Sequence, residues 1–287
     1  MKPLILGTAA FQHNYGIANG NKSISDSEIQ KLIFYSQKNG VHSFDSAPTY
    51  HPAEDLLGNY LDQSLEPKVS SKIDPKSCES VAEIIDSVQK SINTLKIACL
   101  DTLYIHDPMS ISGAKKSYIR HALIELKELG LVQNIGFSAY TIEDVVQAID
   151  AVPEITTIQV PENLADQRLI HSSKLNILKS EGITLVVRSV FLQGLLLMNP
   201  AQLPKKFLSF HEFLDQLNYV AAQEECTVLD LCLGYVNSIS WATHLLVGAI
   251  NSDQMKQMLE SRKVLPSDWQ ERITPIPTNL VDPRTWN

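Results

Sequence analysis

The sequence is poor in the features that mark whole classes of protein. Glycine is scarce at 12 of 287 residues, and proline stands at 14, which excludes collagen-like and low-complexity chains. No GxGxxG follows any early apolar run, so the glycine fingerprint of a doubly wound nucleotide-binding sheet is missing. The four cysteines, Cys78, Cys99, Cys226 and Cys232, form no CxxC pair, and no His/Cys cluster has zinc-ligand spacing. Reduced structural thiols, a cytoplasmic setting and no bound metal are therefore expected. No apolar run reaches the roughly 18 residues that a membrane span needs. The richest stretch, residues 229–236, is interrupted by Asp230 and Cys232. Neither a basic n-region nor an apolar h-region precedes Leu4-Ile5-Leu6-Gly7, so no signal peptide is expected. Basic stripes are lacking as well. The net charge is −8, and Lys115-Lys116 and Lys205-Lys206 are isolated pairs, which argues against a nucleic-acid partner.

What is present is an ordinary core: 44% of residues are hydrophobic and 20% charged, which excludes a disordered chain. Dividing the length by about 150 residues per domain gives two domains, but single barrels commonly run to about 250 residues. Short β-branched apolar runs recur at residues 4–8, 41–46, 69–72, 102–106, 133–138, 156–160, 184–189 and 244–248. Between them lie stretches of helical period, such as Ile84, Ile85, Val88 and Ile92. Ser25-Asp26-Ser27-Glu28 offers a capping box, and Gly40, Gly130 and Gly182 sit where helices end.

Continuous apolar strands alternating with helices fit a parallel sheet buried on both faces. The expected fold is an α/β single-domain (β/α)8 TIM barrel spanning residues 1–287. An open doubly wound sheet is the alternative. Extra helices are expected between strands seven and eight, at residues 211–225 and 228–239. An irregular tail follows from Val264, because Pro266, Pro275, Pro277 and Pro283 bar a long helix.

In such a barrel, chemistry sits at the C-terminal strand ends. Those ends carry Asp45 followed by Tyr50, then Lys72, His106, Ser138, Gln159, Arg188 with Ser189, and Gly248. Charge inside an apolar strand is costly unless paired, and Asp45 and Lys72 come from neighbouring strands. Each residue alone has a plain reading: Asp45–Lys72 as a fold-holding ion pair, His106 as a core histidine, Tyr50 as packing. Together they suggest more. A tyrosine is a poor acid at neutral pH, but a nearby ammonium stabilises the phenolate. Asp45 would keep that ammonium charged, and His106 could orient a carbonyl oxygen. Such a set donates a proton to a carbonyl that accepts hydride. No hydride source is built into the chain, so a nicotinamide cofactor is implied.

Several ordered segments resemble the aldo-keto reductase family over nearly the whole length. They are Leu6-Gly7-Thr8 with Phe11; Asp45-Ser46-Ala47-Pro48-Thr49-Tyr50 with Glu54 and Gly58; Ser71-Lys72; Tyr104-Ile105-His106-Asp107-Pro108; Gly136-Phe137-Ser138; and Gln159-Val160-Pro161-Glu162-Asn163. The resemblance implies a catalytic tetrad of Asp45, Tyr50, Lys72 and His106. It implies nicotinamide contacts from Ser138 and Gln159, and cofactor-phosphate contacts near Ser189, Leu192 and Gly194. Two departures stand out. Ala139 follows Ser138 where the family usually has Asn, and Arg188 stands where an aromatic often stacks on the nicotinamide. The Arg188 guanidinium could stack likewise or pair with a carboxylate.

The segment 248–254 resembles the family's grip on the adenosine 2′-phosphate, here offering Gly248, Asn251 and Gln254 without a basic residue. NADPH is the expected cofactor, with NADH as the alternative. Residues 12–19 resemble a bacterial branch associated with carbohydrate metabolism, which hints at a sugar-like carbonyl substrate. Tyr15 and His51 could bind its hydroxyls, and Phe11, Met109 and Phe191 could wall the pocket. The expected activity is NAD(P)H-dependent reduction of an aldehyde or ketone. The rival readings are a nicotinamide-binding sensor or partner-binding subunit with little turnover, and a lyase, isomerase or hydrolase that uses Lys72 directly.

Overall fold

A computed structural model describes residues 2–12, 15–19, 23–106 and 114–286. Eight parallel strands close into a barrel in sequence order: β1 (Leu4–Gly7), β2 (Ser43–Asp45), β3 (Lys68–Ile73), β4 (Leu100–Ile105), β5 (Val132–Ser138), β6 (Thr157–Pro161), β7 (Thr184–Arg188) and β8 (His244–Gly248). β8 returns to pair with β1, Leu6 against Val247. The open-sheet alternative is thereby excluded. Each apolar run of the sequence is one of these strands, because a strand covered on both faces must be apolar at nearly every position.

The outer layer follows the same logic. α1 (Asp26–Lys38) begins at a full capping box between Ser25 and Glu28, and α5 (Ile142–Ala151) at one between Thr141 and Asp144. The intervening helices are α2 (Ala53–Tyr60), α3 (Val81–Leu95) and α4 (Ala114–Glu128), and α6 (Ser173–Ser180) follows. α3 buries Ile84, Val88, Ile92 and Leu95, an i, i+4, i+8, i+11 stripe facing the sheet. The expected insertion is present as α7 (His211–Gln223) and α8 (Val228–Ser238). α9 (Ser252–Glu260) follows β8. The proline-rich tail holds the short helices α10 (Trp269–Arg272) and α11 (Thr278–Val281) and a 3-10 turn at Pro283–Thr285, in keeping with the ring constraints on its backbone.

One close approach fixes the barrel's interior near the site. Tyr104 on β4 lies in register with Gly136 on β5 and is buried. A Cβ at Gly136 would stand 2.6 Å from the Tyr104 ring and 2.9 Å from the Thr157 carbonyl. The glycine is what admits the phenol ring to the lumen. Gly136→Ala should therefore destabilise the protein by about 1–3 kcal/mol through overpacking. Denaturant titration checks this, and pairing it with Tyr104→Leu should recover part of the loss.

Candidate active site

β2, β3 and β6 aim three polar side chains into the lumen just below its C-terminal rim. Lys72 Nζ pairs with Asp45 Oδ1 and also donates to the Ser46 carbonyl at 2.8 Å. From across the barrel, Gln159 Nε2 donates to Asp45 Oδ2 at 2.7 Å. Both carboxylate oxygens are thus occupied, and all three residues are buried. The Thr8 hydroxyl bonds the Asp45 carbonyl and the Ser46 hydroxyl, both at 3.0 Å, and ties β1 to the end of β2. Burial opposes the Lys72 charge, but Asp45 and the Tyr50 phenol outweigh it, and the ammonium pKa stands above its ordinary value. Lys72 remains a cation.

Tyr50 sits above this pair, in the short turn Pro48–Tyr50 that follows β2. Lys72 Nζ lies 4.9 Å from its ring centroid. His106 meets the same ring edge-on, with centroids 6.4 Å apart and planes at 86°. Burial, then the Lys72 and Arg188 charges, hold the His106 pKa below its usual value. The imidazole is therefore neutral near pH 7 and keeps one N–H to donate. Asp45, Tyr50, Lys72 and His106 line one cavity of about 780 Å³. The same cavity is lined by Ser138, Gln159, Arg188, Ser189, Leu192, Gly194, Gly248 and Gln254, and by Tyr15 and Phe191.

Three expectations need correction. Phe11 is packed in the hydrophobic core and does not line the cavity; Ala9 and Ala10, just before it, do. His51 turns outward to solvent, 3.6 Å from Asp55 one helical turn on, and is not a wall residue either. Asn251 is the N-cap of α9: its side chain accepts from the Gln254 amide at 2.9 Å, and it is not on the cavity lining. Gln254 lines the cavity, but its own carbonyl folds back onto the Ile250 amide at 3.0 Å. Met109, Asp107 and Pro108 lie outside the described residues. Glu54 is a support, not a lining residue. It accepts from Ser71 at 2.6 Å, which holds α2 to the strand that carries Lys72.

Sequence reasoning missed Tyr140, Pro283 and the start of α8 at Thr227–Leu229, all on the lining. Tyr140 had a signal, since it follows Ser138-Ala139 directly at a strand end. The other two come from the insertion and the tail, whose docking has no local pattern. The loop after β7 was expected to matter, and its backbone is unusual. Ser189, Leu192 and Gln193 have φ of 59°, 49° and 56°, left-handed values that cost non-glycine residues energy. Asn163 Nδ2 donates to the Ser189 carbonyl at 3.1 Å, and the Ile17 amide donates to the Gln193 carbonyl at 3.2 Å. Gly194 also has positive φ, 85°, and a Cβ there would meet that of Ala18 at 2.7 Å. The loops after β1 and β7 are thereby clamped together.

A closed βα barrel with a phenol, an ammonium, a carboxylate and an imidazole at the C-terminal mouth of one cavity defines a class of oxidoreductase. The chain belongs to the aldo/keto reductase family, whose model matches residues 3–275. It is 23% identical to the D-arabinose 1-dehydrogenase of Saccharomyces cerevisiae, over 93% of this chain and 85% of that protein. Among solved structures, the glycerol dehydrogenase of Gluconobacter oxydans matches with TM-score 0.72 and 19% identity, covering 93% of this chain and 88% of that one. A thermostable aldo-keto reductase in complex with the inhibitor epalrestat matches with TM-score 0.71 and 20% identity, over 94% and 92% of the two chains. Among the described residues, no cluster of His, Cys, Asp or Glu could hold a metal, and no helix is long and apolar enough to cross a membrane.

Two outcomes follow from the pair and the imidazole. Lys72→Met should cost about 3–5 kcal/mol, because it strands a buried carboxylate. Replacing Asp45 by Asn in the same chain should return much of it, as read by equilibrium unfolding. An NMR titration should place the His106 midpoint below the ordinary value of 6.5. Since the unfolded chain then takes up a proton that the folded site refuses, the His106 contribution to stability falls as pH drops below about 6.5, and His106→Gln should remove that part of the slope.

Proposed function

We propose that the protein reduces an aldehyde or ketone of sugar-like kind to an alcohol, using NADPH or NADH. The observation that carries this reading is the convergence of Tyr50, Lys72, Asp45 and His106 on one cavity. A bound nicotinamide supplies the hydride for the carbonyl carbon. The residues at hand fit such a group. Gln159 lines the cavity with its buried Oε1 unpartnered, an acceptor suited to a carboxamide N–H. Ser138 lies beside it in register on β5. Leu192, Gly194 and Gly248 extend the lining away from the tetrad, and open space lies where a Cβ of residue 248 would stand.

The chain's own chemistry is proton delivery. Tyr50 would give its proton to the carbonyl oxygen as negative charge grows there. Lys72, held cationic by Asp45, stabilises the phenolate that remains. Gln159 holds the other carboxylate oxygen, so that Asp45 cannot swing away from the ammonium. His106, neutral, would donate to the same carbonyl oxygen and set its direction. Water returns the proton to Tyr50 after product leaves.

The sugar-like substrate is supported by the polyol and pentose named for the relatives, a glycerol dehydrogenase and a D-arabinose dehydrogenase. NADPH is the family default. NADH is equally compatible with the lining from Gly248 to Met258, which offers Gln254 and Gln257 but no Lys or Arg. Fluorescence titration with both cofactors, then a panel of sugars, small aldehydes and ketones, tests the reading. Tyr50→Phe should lose about 10²–10⁴ in turnover while retaining cofactor binding. A parent-like rate in that variant would sink the role given to Tyr50, and tight cofactor binding with no turnover on any carbonyl would favour a sensor.

A further inference from the structure

The cavity extends well beyond the tetrad. From Tyr50 its lining runs along the loop after β7 and the end of β8 to where α8 and α9 begin, at Thr227–Leu229 and at Gln254, Gln257 and Met258. A nicotinamide must meet the carbonyl beside Tyr50, so the adenosine of the same dinucleotide belongs in this far arm. Among the described residues, the lysine and arginine on the lining are Lys72 and Arg188. Lys72 is taken by Asp45. Arg188 ends β7 but leans away from β8. Its Nη2 donates to the Ala139 carbonyl at 3.0 Å, and its Cζ lies 4.2 Å from the Tyr140 ring centroid, both just past the end of β5. The far arm is therefore left without a cation among the described residues.

A fixed negative charge stands behind its wall instead. Asp230 accepts from the Thr227 amide at 2.9 Å and hydroxyl at 2.7 Å, from the Ser261 hydroxyl at 2.9 Å and from the Arg262 amide at 2.6 Å. Burial opposes the Asp230 charge, but these bonds outweigh it and hold the pKa down at about 2. The Thr227 hydroxyl gives its proton to this carboxylate and has none for a ligand. α9 opens with the acid Asp253 in its first turn, and its Gln254 amide is already taken by Asn251 at 2.9 Å. Arg262 and Lys263 follow α9, but their side chains bond the Glu225 and Ser261 carbonyls and lie off the lining. Lys256 is off the lining too, 4.0 Å from Glu260 one turn on.

A ribose 2′-phosphate brings about two negative charges at neutral pH, and its strong partners are the charge-assisted donors of Arg and Lys. A free 2′-hydroxyl is neutral and needs only ordinary partners. Gln254 and Gln257 supply them. The Gln254 carbonyl is held by the Ile250 amide at 3.0 Å, which leaves its Nε2 donors for a ligand. We propose that the far arm selects a free 2′-hydroxyl through Gln254 and Gln257, so that the protein takes NADH and discriminates against NADPH. This rests on the reductase reading above and narrows its cofactor. Val228, Leu229 and Met258 give the adenine its apolar walls. The selection works by exclusion, since a phosphate placed here meets the field of Asp230 with no cation to answer it.

Calorimetric titration of the whole protein tests this with two pairs that differ only by the 2′-phosphate: NADH against NADPH, and NAD+ against NADP+. We expect the member without the phosphate to bind about tenfold more tightly or better in both pairs. Gln257→Arg should raise the affinity for NADPH relative to NADH by about tenfold, and that gain should shrink as salt is added. Gln257→Glu should move the ratio the other way. NADPH binding as tightly as NADH in the parent would overturn the proposal and leave the reductase reading intact. A preference for NADH that neither Gln257 variant moved would overturn the placing of the ribose in the far arm, and the proposal with it. If neither dinucleotide bound, the reductase reading itself would fall.

Discussion

A lysine and an aspartate sealed inside a barrel are the constraint around which the site is arranged. Alone, each would be intolerable there. The desolvation of a single buried ion costs several kcal/mol even after relaxation. Together they are stable only if every remaining lone pair and proton finds a partner. The barrel meets that demand from three directions, with the Ser46 carbonyl below the ammonium, Gln159 reaching across the lumen, and Thr8 fixing the strand end. The same requirement explains why β2 is so short. It ends at Asp45, where backbone pairing gives way to the turn that lifts Tyr50 over the ammonium. The ion pair is thus a structural necessity that also sets a cation against the Tyr50 ring.

Much of this was readable in the chain. Parallel strands buried on both faces leave continuous apolar runs, and polar residues closing those runs have few explanations other than a site at the rim. Hence Asp45, Lys72, His106 and Gln159 could be named without coordinates. What could not be read was the direction of side chains in loops. Phe11 and His51 flank lining residues in sequence, yet one is drawn into the core and the other faces water. No periodicity governs a short connection, so neighbours there take opposite sides. Asn251 illustrates a different limit. Asn before a helix serves as a cap as readily as it serves a ligand, and here the backbone claims it.

The tail shows a third limit. Its prolines predicted irregularity correctly, but irregularity says nothing about where a segment docks. In the fold it returns to the mouth, where Pro283 joins the wall and Arg284 rests on Tyr140. Trp286 anchors it by packing edge-on against Phe207, centroids 5.0 Å apart, and by donating to the Leu280 carbonyl at 2.7 Å. Cavity lining is therefore contributed by parts of the chain that carry none of the strand signal, so barrel and pocket can vary independently.

The amide of Ile17 and the carbonyl of Gln193 join two loops that leave the same C-terminal end of the barrel, one after β1 and one after β7. A Cβ added at Gly194 would stand 2.7 Å from that of Ala18, so the two segments also touch there. A change of backbone at Gln193 or Gly194 would therefore have to be matched at Ile17 and Ala18.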